Sequence, residues 1–240
     1  MTLYDRIAAF YDPWSRSVTE DVGFYVDAAL ACGGPVVELA VGTGRIAVPI
    51  ARAGIDVIGV DSSPAMLAVA RAAANDAGVS SRVDLRLGDL REPPVDERVS
   101  LVICPFRSLL HMETEEEKLR ALRAARDLLE PGGRFVFDVF SPSRADIEET
   151  HGRWLEREPG IFERADWDES SRTLTLSVRS DASVTSFGLH WLSVAEWLQL
   201  LGRAGLAVDS VYGWFDRRPH EGEEDMVFVT RATSLESPEP

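Results

Sequence analysis

The stretch VVELAVGTGRIAVPIARAG, residues 36–54, constrains the fold more than any other part of the chain. A β-branched apolar run carries an acid, Glu38, then enters a turn containing Gly42, Thr43 and Gly44 and a helix-forming segment. A strand, a glycine turn and a helix in that order open a βαβ unit. The glycines let the chain reverse tightly and leave helix N-terminal NH groups facing outward. An acid inside a buried strand costs stability unless it is partnered, so the turn reads as a ligand site.

The rest of the chain repeats this alternation. Apolar runs at 36–40, 56–60, 83–87, 99–104 and 134–140 read as five buried strands separated by helical segments. That order predicts an α/β fold around a mostly parallel sheet. Ser63-Pro64 marks a helix start, with a cap followed by proline at the first helical position. Thr114 and Glu117 form a capping box for a further helix. Pro131-Gly132-Gly133 is predicted to stop that helix and turn the chain into the fifth strand.

Past Phe140 the pattern changes. Residues 141–190 are rich in charge and tryptophan, and 154–157, 161–167, 173–179 and 184–190 read as antiparallel strands. RTLTLSVRS alternates polar and apolar residues, as a half-exposed strand does. Ser193 and Glu196 make another capping box, opening a helix over 194–204, and two strands follow near 206–215 and 225–231. The expected organisation is one domain over 1–232, with 141–190 as an antiparallel β insertion and 233–240 as a disordered tail.

Composition excludes several classes. A net charge of −15 opposes binding to nucleic-acid backbones or anionic membranes. No run reaches the ~20 apolar residues of a membrane span, and the start MTLYDRIAAFYDPW lacks the basic and apolar regions of a signal peptide. Cys32 and Cys104 stand apart, with neither disulfide nor zinc-site spacing, which fits a reducing cytoplasm and a metal-independent protein. Lys118 is the only lysine among many arginines, a coding bias of GC-rich bacterial genomes.

Glu38 discriminates among ligands for the turn. Gly42-Thr43-Gly44-Arg45-Ile46-Ala47 satisfies the dinucleotide pattern, but a carboxylate on the same turn repels a pyrophosphate. It suits a ligand with an ammonium group, such as S-adenosylmethionine (SAM). Asp61 ends the second strand in VIGVDSSPAML, where an acid accepts from both hydroxyls of a ribose. Gly88-Asp89-Leu90, in LRLGDL, places an acceptor for an adenine amino group beside an apolar contact for the base. An ordinary turn aspartate is the alternative at Asp89.

In order and spacing, VVELAVGTGR, VIGVDSSPAML, LRLGDL, VSLVICPFRSLLHM and LLEPGGRFVFDVF resemble the motifs of class I SAM-dependent methyltransferases. The resemblance covers 4–140 well and the last helix and strands loosely. It implies a Rossmann-like seven-stranded sheet, mostly parallel with an antiparallel last strand and helices on both faces, plus the small β insertion after the fifth strand. It implies cofactor contacts at Glu38, Ala40, Gly42, Gly44, Asp61, Ser62, Met66, Gly88, Asp89, Leu90 and Pro105. Two departures stand out: Ala40 replaces the first glycine, and Ser100 replaces an acid common at the start of the fourth strand. YDRIAAFYDPW resembles the opening helix of small-molecule methyltransferases, which implies that 1–30 covers the cofactor. Tyr4 and Tyr11, seven apart, then share a helical face toward the sulfonium, with ordinary packing as the alternative.

For the acceptor, His111 in CPFRSLLHM and His190 in GLHWLSVAEW are candidate general bases or structural histidines, and Tyr11 is a third candidate at the reacting centre. Arg107 and Ser108 are candidates for binding an acceptor's carboxylate or phosphate, with a plain surface residue as the equal alternative at Arg107. Trp154, Phe162, Trp167, Phe187 and Trp191 line an acceptor pocket or pack the insertion. The insertion resembles that of amino-sugar N,N-dimethyltransferases in position and size. The expected activity is transfer of a methyl group from SAM to a small-molecule acceptor, an amine nitrogen before a hydroxyl, leaving S-adenosylhomocysteine (SAH). The expected protein is cytoplasmic and a monomer or homodimer. An NAD-dependent oxidoreductase and a non-catalytic SAM-binding regulator are the rival readings.

Overall fold

A computed structural model describes residues 3–15, 17–180 and 183–233. The five predicted runs form β1 (Val36–Leu39), β2 (Val57–Asp61), β3 (Val83–Leu87), β4 (Val99–Cys104) and β5 (Leu129–Phe140). They pair in parallel with β1 and β4 adjacent at the centre. The last two strands, β10 (Leu206–Tyr212) and β11 (Asp225–Ala232), extend the sheet to the order β10-β11-β5-β4-β1-β2-β3. Only β11 runs against its neighbours, between β5 and β10.

The central strands are buried on both faces, and their side-chain alternation feeds two separate cores. Val37, Leu39, Val102, Cys104, Phe135 and Phe137 pack on one side, against Leu119, Leu122, Trp197 and Leu201. Val36, Leu101, Ile103 and Val136 pack on the other, against Phe24, Tyr25 and Ile50. The first set comes from α5 (Glu115–Asp127) and α7 (Val194–Ala204), the second from α2 (Glu20–Cys32) and α3 (Ala47–Arg52). Both capping boxes form, at Thr114/Glu117 and at Ser193/Glu196. Ser63 caps α4 (Pro64–Asp76) by accepting from Met66 N.

Pro131-Gly132-Gly133 does not separate helix from strand. The helix ends at Asp127, and β5 begins at Leu129, pairing with Val99 before the register slips so that Arg134 faces Leu101. The three residues form a bulge within the strand. Gly132 takes a left-handed φ of +82°, and a Cβ on Gly133 would lie 3.0 Å from the carbonyl oxygens of Glu130 and Val99.

The insertion forms its own antiparallel sheet from β6 (Trp154–Glu158), β7 (Ile161–Asp168), β8 (Thr173–Ser180) and β9 (Ser183–His190). It opens with α6 (Arg144–Thr150), which the sequence reading passed over, capped by Ser143 and Asp146. At the other end of the chain, α1 (Leu3–Trp14) bridges both units. Trp14 Nε1 donates to Glu163 of β7, and Thr43 in the glycine turn donates to Asp12 at 2.6 Å. Thr233 is tied to Gly205 by two hydrogen bonds, whereas 234–240, the rest of the expected tail, lie outside the described residues. No helix among the described residues is long and apolar enough to cross a membrane.

Candidate active site

The strand order reverses between β1 and β4, so the crevice above their carboxyl ends is the natural ligand site of such a sheet. A cavity of about 780 Å³, open mouth included, lies there. Its lining includes Tyr4, Tyr11, Ala40, Gly42, Asp61, Ser62, Met66, Gly88, Asp89, Leu90 and His111. Sequence reasoning named these eleven as site residues but not Val60, Arg91, Phe106 or Met112, which line the cavity too.

The turn is built by backbone geometry. Ala40 and Gly42 both take left-handed φ values, +59° and +56°. Alanine at Ala40 therefore does more than replace a small residue with another; it holds a conformation that glycine adopts freely. Asp61 clamps the turn, accepting from Gly42 N at 2.9 Å and Ser63 N at 2.8 Å. Burial raises its pKa despite those donors.

Glu38 lies behind the turn, 2% exposed, and is not on the cavity wall. Its Oε2 has no hydrogen-bond partner among the described residues. Burial pushes its pKa well above the carboxylate range, partly opposed by Arg45. An orphaned buried carboxyl at the root of the turn fits a ligand bearing a cationic group. Gly44 does not line the cavity either; its Cα packs toward Ala70 of α4, where a Cβ would meet Ala70 Cβ at 3.4 Å. Pro105 is buried beneath the loop that follows β4, and its carbonyl accepts from Ser108 Oγ at 2.7 Å.

Asp89 is on the wall, but its carboxylate receives Arg91 N, Nε and Nη2 at 2.5–2.9 Å. Those bonds hold its pKa low and leave fewer lone pairs for an adenine. His111 is half-buried, and its Nε2 lies 2.7 Å from Tyr4 Oη. Burial lowers the His111 pKa to about 4, so its ring is neutral at pH 7. His190 does not reach the cleft. Strand alternation turns Phe187 and Leu189 toward the interior and His190 the other way, where its Nδ1 meets Thr173 Oγ1 at 3.2 Å.

A second, larger cavity of about 1730 Å³, again counting open space, separates the insertion from the main sheet. Trp167 and Phe187 line it. Trp154 and Phe162 instead flank Arg179, at 4.7 and 4.8 Å, and the buried Trp191 packs on Trp167. Arg107 pairs with Asp225 at 2.7 Å and sits 4.8 Å above the Phe140 ring. Tyr4, Tyr11 and Phe106 line both cavities, so an aromatic wall is their common boundary.

Several supports of the site escaped the sequence reading. Arg45 donates to both oxygens of the buried Asp21, at 2.7 and 2.6 Å, joining the glycine turn to α2. Asp5 accepts from Ser63 Oγ at 2.6 Å, and Asp12 from Thr43. Asp5 and Asp12 share the seven-residue spacing of Tyr4 and Tyr11, and that spacing was the available signal.

Fold and crevice together define a nucleoside-cofactor enzyme of the class I methyltransferase type. Residues 36–133 match the family model described as a methyltransferase domain. The chain is 30% identical to the CcbJ methyltransferase of Streptomyces caelestis, covering 98% of this chain and 99% of that one, with a TM-score of 0.85. It is 27% identical to the cypemycin N-terminal methyltransferase of a Streptomyces species over 82% of both chains. It is 33% identical to the ubiquinone biosynthesis O-methyltransferase of Azorhizobium caulinodans, over 44% of this chain and 40% of that one. The chain spans about half the length of the first curated relatives it matches, between 40% and 53%. It belongs to the SAM-dependent class I methyltransferases.

Proposed function

We propose that this protein transfers a methyl group from SAM to the nitrogen of a small-molecule amine. The observation that carries the reading is the lining of the larger cavity. Seven acids face it (Glu20, Asp21, Asp138, Asp146, Glu163, Glu224 and Asp225) against three arginines, Arg107, Arg153 and Arg157. Such a lining attracts a cationic amine and disfavours an anionic acceptor. Apolar faces from Leu174, Leu176, Leu189 and Trp167 offer surface to the rest of the molecule.

The bound cofactor supplies a methyl group on an electron-poor sulfur. Asp61, Ala40 and Gly42 of the turn, and Leu90 would hold its nucleoside, with Glu38 as the acid behind its amino-acid end. Tyr4, Tyr11 and Phe106 present ring faces that favour positive charge and exclude water where the two cavities meet. The same rings and the acids of the larger cavity would favour the positive charge that the nitrogen gains on accepting the methyl group. Alignment of donor and acceptor is the main demand of an in-line displacement. His111 is a poor base here, since burial favours its neutral form and Tyr4 holds Nε2. An amine drawn in as an ammonium must first release its proton, which a lining carboxylate or solvent can take, and then needs no base during attack, whereas a hydroxyl needs a base that removes its proton as it attacks. The cypemycin relative acts on an N-terminus by its name, which supports nitrogen; the ubiquinone relative is an O-methyltransferase and supports the other outcome.

The test is incubation with methyl-labelled SAM and matched panels of small amines and hydroxylated compounds, with detection of labelled product and SAH. Turnover confined to amines supports the proposal. Turnover confined to hydroxyls, with amines inert, refutes the nitrogen assignment.

A further inference from the structure

β5 contains an acid in an apolar run, FVFDVF, and Asp138 is 6% exposed there. Three donors converge on its carboxylate. The Tyr25 hydroxyl of α2 donates to Oδ1 at 2.6 Å, Phe106 N donates to Oδ1 at 2.8 Å, and Arg107 N donates to Oδ2 at 3.0 Å. Phe106 and Arg107 are consecutive non-glycine residues in the left-handed region, with φ of +56° and +61°. Such residues persist only where their surroundings hold them. Charge-assisted bonds to both amides supply that restraint.

This bend fixes two side chains at once. It places the Phe106 ring on the boundary of the two cavities, 6.4 Å from the Tyr11 ring and 4.9 Å from the Arg45 guanidinium. It also directs Arg107 onto Asp225 and the face of Phe140. We infer that Asp138 is a positioning residue that, through the Phe106 and Arg107 amides, sets the aromatic wall across which the two cavities meet. The inference rests on the assignment of those cavities to cofactor and acceptor.

The charge state of Asp138 matters to this role. Tyr25 and Asp21 of α2, Cys104 of β4, Arg107 of the loop and Arg45 of the turn all face it. Burial raises its pKa to about 6. Above that pH the carboxylate accepts both amides. Below it, the added proton turns one oxygen into a donor among donors, and the loop loosens.

The test combines amide hydrogen exchange over 106–108 with calorimetric titration by SAH, on wild type, Asp138→Asn and Tyr25→Phe. In Asp138→Asn the loop amides are expected to exchange at least about tenfold faster while β5 amides paired with β11 keep their protection. SAH affinity is expected to fall about three- to tenfold, the net scale of one ordinary hydrogen bond, because the loop acts on the ligand only through the aromatic wall. Wild-type affinity should also weaken as pH falls through about 6, a step absent in Asp138→Asn. Tyr25→Phe should give smaller changes of the same sign, and it decides the question if Asp138→Asn does not fold. Unchanged loop exchange and SAH affinity in a folded variant overturn the inference. Absence of SAH binding by wild type overturns the cavity assignment instead, and the exchange data still decide whether Asp138 holds the loop.

Discussion

The Arg45–Asp21 pair offers the sharpest test of how the cofactor turn is supported. Asp21 is 1% exposed and Arg45 18%, and the guanidinium meets both carboxylate oxygens. Replacing Arg45 with methionine keeps an unbranched apolar stem and leaves Asp21 sealed without its counter-charge. Breaking a buried pair in this way costs about 3–5 kcal/mol. Loss of the Arg45 contact with Phe106 adds about 0.5–1 kcal/mol. At about 2 cal/mol/K per residue, a 240-residue chain unfolds with an entropy near 0.5 kcal/mol/K. The expected fall in Tm is therefore about 7–12 °C, read by differential scanning calorimetry. The double variant Asp21→Asn/Arg45→Met removes both charges and should recover more than half of that loss. A double variant as unstable as the two single losses added together would refute the reasoning, because it would show no coupling between the residues.

Three further outcomes are expected. Ala40→Gly relieves a left-handed alanine, worth about 1–2 kcal/mol, against a glycine entropy cost of about 0.5–1 kcal/mol, so Tm should rise by about 1–2 °C while Ala40→Val lowers it. His111 has a folded pKa near 4, below its unfolded value of about 6.5, so the unfolded chain takes up the proton first as pH falls. Its contribution is thus fully present above pH 6.5 and lost toward pH 4, and His111→Gln should flatten the stability profile in that window. Asp12→Ala removes the bond from Thr43 that ties α1 to the glycine turn, so SAH should bind about fivefold more weakly in calorimetry with the fold retained.

Much of the architecture was legible because its determinants are local. The two-faced burial of Val36 to Leu39 and of Leu101 to Cys104 shows as continuous apolar runs, and the boxes at Thr114/Glu117 and Ser193/Glu196 lie within four residues. The box at Ser143/Asp146 was overlooked because it opens a seven-residue helix inside a highly charged segment. Pro131-Gly132-Gly133 misled because the same residues suit a helix stop and a strand bulge, and only the pairing of Val99 with Leu129 distinguishes them. The site divides along the same line. Its strand-end residues followed from the order of strands and turns. The Tyr4–His111 contact joins residues 107 positions apart, and Tyr25 reaches Asp138 across 113, so neither is a pattern that spacing can reveal. Asp138 nevertheless carried the signal that Glu38 did, an acid within a buried strand. His190 failed for a plain geometric reason, the alternation of β9.

Calorimetric titration of the purified protein with SAH, with NAD and NADP as controls, repeated on Asp61→Ala, tests the central claim most directly. The structure predicts micromolar-range SAH binding (on the order of −8 kcal/mol), weakened at least about tenfold by Asp61→Ala, with no dinucleotide heat. A folded protein that ignores SAH, or that binds NAD in its place, would contradict the account of the glycine turn and of the site built on it.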